Sequence, residues 1–131
     1  MIILDTNALI WLTTAKDKLS RKARNTIEKA VKESGLLVSS ISIWEAYLLV
    51  KKNRLKFMVD IDTWLEKLEN TPYLRFVPVD NQIAAKSVKL SDFDSNDPAD
   101  RMVIATALQY GAVLITSDKK ILDYKQIQTI W

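Results

Sequence analysis

An apolar run that ends in an acid, repeated along the chain, constrains this sequence more than any other feature. The opening Met1-Ile2-Ile3-Leu4-Asp5-Thr6-Asn7 passes from strand-like composition to a carboxylate in one step. Leu36-Leu37-Val38-Ser39-Ser40 leads towards Glu45, and Ala112-Val113-Leu114-Ile115-Thr116-Ser117 leads to Asp118. Between them, Asp97-Pro98-Ala99-Asp100-Arg101 opens a helical pattern. Short continuous apolar runs bounded by turn residues suit strands buried on both faces. They alternate with helical periodicity, and no hairpin signal separates them. This predicts an α/β fold with a parallel sheet covered on both faces. In such a sheet the acids share one edge. Like charges gathered there are unfavourable unless a cation sits among them.

The local signals give five strands, over residues 2–5, 36–39, 74–79, 112–116 and 127–130. Thr6 or Asn7 is the expected N-cap of a short buried helix through Ala8–Leu12, and Ser20 caps a second running to Glu33, closed by Gly35. Ser42-Ile43-Trp44-Glu45 matches a capping box at the start of a third. Asp60 or Asp62 begins a fourth, Asp80 a fifth, and Asp97 a sixth with Pro98 at its first position and Gly111 after its end. A helical turn follows over Lys119–Leu122. Pro78 puts the third strand at an edge. The whole of 1–131 reads as one domain.

Composition narrows the chemistry. There is no Cys and no His. Disulfides, thiolate or imidazole metal sites and His-based triads are therefore excluded. Carboxylate, hydroxyl, Lys and Arg remain, and carboxylates alone suit Mg²⁺ or Mn²⁺. The chain carries 19 basic and 16 acidic residues, a net charge of +3. Setting Asp5, Glu45, Asp100 and Asp118 aside leaves an excess of seven positive charges on the body. A basic body around an acidic hole fits a polyanion held by its phosphates. No membrane span or signal peptide is legible, so the expected location is the cytoplasm.

Each acid has a structural alternative. Glu45 can complete a capping box, Asp97 and Asp100 can serve their helix, and Asp118 can cap a turn. Asp5 has the least structural purpose, because it closes a buried strand. Together they read as a metal site beyond the strands' carboxyl ends. Thr6, Asn7, Ser42, Thr116 and Ser117 lie nearby as groups that orient the ligands. The chemistry this suits is metal-assisted hydrolysis of a phosphodiester.

These marks, with the terminal Ile130-Trp131, resemble the PIN-domain family, and within it the VapC-like toxins of type II toxin–antitoxin pairs. The resemblance covers the whole length. It implies a three-layer α/β/α sandwich and an Mg²⁺- or Mn²⁺-dependent ribonuclease acting on RNA. It carries metal-site roles onto Asp5, Glu45, Asp100 and Asp118, leaves Asp97 as a cap, and makes Arg101 a bracing or phosphate-contacting residue. It also implies a homodimer and a cognate antitoxin whose C-terminal segment blocks the site. The chain departs from the pattern at Ser95, where relatives often have His, and at Ala99, where they often have Phe. Trp44, Tyr47, Leu48, Phe57, Met58, Trp64 and Leu65 offer apolar surface beyond what a small sheet needs and are expected to line an antitoxin groove. A housekeeping PIN nuclease without an antitoxin, and a catalytically silent RNA- or protein-binding domain, stay open as alternatives.

Overall fold

Isoleucine, leucine and valine dominate the short strands, which is why the computed structural model, describing residues 1–131, places them at the centre of the molecule. The strands are β1 (Ile2–Leu4), β2 (Leu36–Ser39), β3 (Leu74–Val77), β4 (Val113–Ile115) and β5 (Thr129–Ile130). They form one sheet in the order β3-β2-β1-β4-β5, parallel throughout. The chain works outward from β1 to β3, then returns to lay β4 on the other side of β1. That reversal makes a switch point between β1 and β4, where loops leaving the two strands diverge and open a crevice.

Seven helices cover the sheet: α1 (Thr6–Thr14), α2 (Arg21–Glu33), α3 (Ser40–Lys51), α4 (Ile61–Glu69), α5 (Asn81–Val88), α6 (Pro98–Tyr110) and α7 (Lys119–Leu122). Alternate strand residues point to opposite faces. Leu4, Leu36, Val38 and Ile115 pack with Ala8 and Leu9 of α1, Ile27 of α2, Ala46 of α3, and Trp64 and Leu68 of α4. Ile3, Leu37 and Leu114 pack on the other side with Ile83 of α5, Val103 and Ile104 of α6, and Ile121 of α7. The result is the expected α/β/α sandwich. Each such aliphatic side chain contributes about 1.5–3 kcal/mol by leaving water. No helix is long and apolar enough to cross a membrane.

The strands are shorter than expected at several ends. β1 stops at Leu4 because Asp5 already caps α1. β3 stops at Val77, since Pro78 has no N–H to continue the ladder, and β3 does lie at an edge. Ser20, Asp60, Asp80 and Asp97 cap as expected. Two starts differ. The cap of α1 is Asp5 rather than Thr6 or Asn7. The cap of α3 is Ser39, which accepts from Ile41 N at 3.2 Å. The capping box at Ser42–Glu45 therefore does not exist, and Glu45 sits in the helix interior.

Gly35 turns the chain from α2 into β2 with φ +81°, and a Cβ there would come within 2.8 Å of the Tyr73 carbonyl oxygen. That oxygen also accepts the Leu36 N–H at 2.8 Å, so it cannot retreat without loosening the sheet. Gly111 has φ +59° with open space around it. Gly35→Ala is expected to lower stability by about 2–4 kcal/mol and Gly111→Ala by only about 1 kcal/mol. Urea denaturation of the two variants measures the difference directly.

Candidate metal centre

The structure brings all four predicted acids to the carboxyl edge of the sheet. Asp5 follows β1, and its carboxylate accepts from Ala8 N at 2.8 Å. Its own N–H donates to the Ile115 carbonyl of β4 at 3.1 Å, which ties it to the neighbouring strand. Asp118 follows β4 and caps α7, accepting from Lys120 N at 2.9 Å. Glu45 comes from α3, which follows β2. Asp100 lies in the first turn of α6, where Asp97 accepts its N–H at 3.0 Å.

Electrostatics confirm the gathering. Burial pushes the Asp5 carboxyl up to about 6, and the charges of Asp118 and Glu45 add to it against hydrogen bonds from Thr116 and Ala8. Burial pushes Asp100 up to about 7, with Asp97, Asp118, Glu45 and Asp5 all adding to the rise. Glu45 is raised by burial and by Asp97, against a hydrogen bond from Thr6. A mutual field of this kind exists only when the groups are close.

Asp5 therefore does have the structural task its strand-end position seemed to lack. Capping alone does not account for it. Ser or Asn caps a helix as well without burying a charge, whereas Asp5 is held with its carboxyl strongly destabilised in the ionised form. Asp97 likewise does two things. It caps α6, and its charge reaches both Glu45 and Asp100. The sequence predicts both the cap and a place among the groups around the ligands.

Hydroxyls fix the carboxylates. Thr116 is fully buried; it accepts the Asp118 N–H at 3.0 Å, and its hydroxyl favours the ionised form of Asp5, so one side chain serves two acids. The Thr6 and Ser42 hydroxyl oxygens are 3.0 Å apart, with Thr6 donating. The Thr6 hydroxyl also favours the ionised form of Glu45. Ser117 is half-buried between these groups, and Asn7 is exposed.

Arg101 makes its hydrogen bonds to main-chain carbonyls: Ser87 at 2.8 Å, Ser95 at 2.7 Å, Phe93 at 3.2 Å and Val88 at 3.4 Å. These contacts fit the bracing role, one of the two expected. Ser95, where relatives carry His, donates nothing to the acids; its hydroxyl accepts the Asp97 N–H at 3.2 Å. Ala99 is buried.

The expected apolar groove divides in two. Phe57, Met58 and Trp64 line a cavity of about 530 Å³, together with Trp11, Leu55 and Leu68 and with Lys18, Lys56 and Lys67. Phe57 stacks on Trp64 at 4.6 Å. Trp64 itself is buried, its indole N–H donating to Thr13 at 3.0 Å. Trp44, Tyr47, Leu48 and Leu65 are not part of that lining. Trp44 is half exposed on α3, Tyr47 donates to Asp62 at 2.6 Å, and Leu65 packs against the core. The split sets Phe57 and Met58, which lie in the connection between α3 and α4, apart from Trp44, Tyr47 and Leu48 on α3.

Comparison with known proteins agrees with this geometry. The PIN domain family matches residues 2–127. Ribonuclease VapC22 of Mycobacterium tuberculosis is 30% identical over 132 residues, covering 99% of this chain and 98% of that protein. A toxin–antitoxin complex from Klebsiella pneumoniae contains a chain with TM-score 0.68 and 20% identity, covering 100% of this chain and 97% of that one. VapBC2 from Rickettsia felis, bound to a DNA fragment from its promoter, gives TM-score 0.70 and 18% identity, covering 100% and 99%. Strand order, acid positions and a match over nearly the full length converge on one assignment: this chain belongs to the PIN-domain family.

Proposed function

We propose that this protein is a divalent-cation-dependent endoribonuclease and the toxin of a toxin–antitoxin pair. The observation that carries the reading is the field at the sheet edge. Four acids from four segments are gathered there, and the carboxyls of Asp5 and Asp100 are driven up to about 6 and about 7 by burial and by the charges of neighbouring acids. A cation relieves that repulsion and holds the acids ionised.

The donor set fits Mg²⁺ or Mn²⁺. It is made of oxygen alone, the preference of hard cations. No group of three or more acids stands close enough to hold an ion by itself; a cation bound here would have few direct carboxylate ligands and would keep several of its own waters, as Mg²⁺ can. Asp5, Glu45, Asp100 and Asp118 are the residues that would hold it. When bound, such a cation acidifies water and neutralises charge on phosphoryl oxygens.

The chain's own groups do the rest. Thr116 keeps Asp5 and Asp118 in register, and Thr6 does the same for Glu45. Asp100, whose carboxyl is raised to about 7 by burial and the neighbouring acids, gives up its proton when a cation is held there. The basic excess over the remaining surface binds the backbone phosphates of RNA. The similarity to Ribonuclease VapC22 supports RNA as the substrate, and the toxin–antitoxin complexes among structural neighbours support a protein antitoxin as partner. The cavity lined by Phe57, Met58 and Trp64 is its proposed seat, and the toxin is proposed to act as a cytoplasmic homodimer.

Purified protein is expected to cut total RNA in Mn²⁺ and to leave it intact in excess chelator. Expression alone is expected to arrest growth, and expression with a small protein encoded beside it to restore growth. Cleavage that persists in chelator would remove the cation from the mechanism. Unimpaired growth would remove the toxin role and leave a processing nuclease.

A further inference from the structure

We propose that Arg101 is a positioning residue, which sets the cation site by fixing the loop between α5 and α6. The inference rests on the cation-site reading above. The loop, residues 89–97, has no regular structure of its own and includes Asp92 at φ +58°. It nevertheless delivers Asp97 and the start of α6, and therefore Asp100, to the sheet edge. Something must hold it.

Arg101 holds it from one side. Nε donates to Ser87 O at 2.8 Å and Nη2 to Val88 O at 3.4 Å, which are the last residues of α5. Nη1 donates to Phe93 O at 3.2 Å and Ser95 O at 2.7 Å, within the loop. The guanidinium carbon also lies 5.8 Å from the centre of the Phe93 ring. The carbonyls at the end of α5 have no further helical turn to bond them, and the planar fork of Arg satisfies several acceptors in one orientation. Tyr124 holds the other side. Its hydroxyl donates to Ser91 O at 2.8 Å, and its ring packs on Phe93 at 5.1 Å.

From the fork the connection to the acids is short. Ser95, held by its carbonyl, accepts the Asp97 N–H on its hydroxyl at 3.2 Å. Asp97 accepts the Asp100 N–H at 3.0 Å. Arg101 follows Asp100 directly in α6, so its reach back over the loop closes a ring of contacts around both acids. Its guanidinium is taken up by carbonyls and is turned away from a phosphate role.

Arg101→Lys distinguishes the two roles. Lysine keeps the positive charge but loses the fork. The variant is expected to bind Mn²⁺ about tenfold more weakly in the absence of RNA, the loss typical when a group that orients a ligand is removed. Amide exchange over residues 89–97 is expected to quicken. In RNA cleavage at saturating Mn²⁺, kcat should fall while KM stays near wild type. Tyr124→Phe loosens the same loop without touching Arg101, and is expected to weaken Mn²⁺ binding in the same direction by a smaller factor. Wild-type Mn²⁺ affinity in Arg101→Lys would overturn the proposal, as would a rise in KM alone or a variant that fails to fold. Because Mn²⁺ binding and amide exchange are read without RNA, their outcome is separate from whether the wild type proves to be a ribonuclease.

Discussion

Asp5→Asn is expected to reduce cation-dependent RNA cleavage at least about a hundredfold, since even the partners that merely orient a ligand cost ten- to a hundredfold when lost. The same substitution should raise the stability of the chelated protein. Asn retains the oxygen that accepts from Ala8 N, so the cap of α1 survives. What disappears is a buried charge whose carboxyl is pushed from 3.8 to about 6. A displacement of that size corresponds to about 3 kcal/mol of disfavour for the ionised form at neutral pH. Tm measured in chelator at pH 7.5 should therefore rise in Asp5→Asn. At pH 4.5, where the wild-type carboxyl is already protonated in the native state, most of that advantage should vanish. Active enzyme, or a lower Tm at pH 7.5, would show that the buried carboxylate is not held for a cation.

A second large effect follows from pH alone. The native carboxyls of Asp5 and Asp100 sit at about 6 and about 7, above the 3.8 of the unfolded chain. Between those limits the native state binds protons that the unfolded state has released. Stability of the chelated protein should therefore decrease as pH rises from about 4 to about 7, with the slope set by the difference in bound protons. Thermal scans in chelator at pH 5 and pH 7.5 are expected to differ by several degrees in favour of pH 5. Saturating Mn²⁺ at pH 7.5 should reverse the order, because a ligand that binds only the native state stabilises it. Cation affinity should weaken as pH drops below about 7, since protons compete for the same oxygens. A chelated Tm that is higher at pH 7.5 than at pH 5 would contradict the raised values.

Much of the fold was legible because its signals are local. Ser20, Asp80 and the Asp97-Pro98 pair cap helices through contacts three residues long. The chain errs where two cap-competent residues adjoin. Asp5, Thr6 and Asn7 compete at one helix start, and Ser39, Ser40 and Ser42 at another. Strand ends decide between them: the cap is the residue at or just after the end of the strand, Ser39 at the end of β2 and Asp5 directly after β1. The acids were legible as a set because strand ends and the helices that follow or precede them carry them. Their mutual field was not, since it depends on which strands adjoin. The partners of Arg101 were equally hidden. They are carbonyls, which every residue has, and only tertiary packing selects four of them. The groove divided because Phe57 and Met58 lie outside the helices, where helical periodicity says nothing of the surface they join.

The place of β1 has a consequence for folding. β1 is the middle of the sheet, and one of its two neighbours, β4, comes from the far part of the chain, with Ile2 paired to Val113. Pairings between segments so remote along the chain are slow to form. Until β4 docks, Asp118 has not been laid beside Asp5, and the crevice between their strands has no second wall. The acidic edge is thus among the last parts of the sheet to be completed.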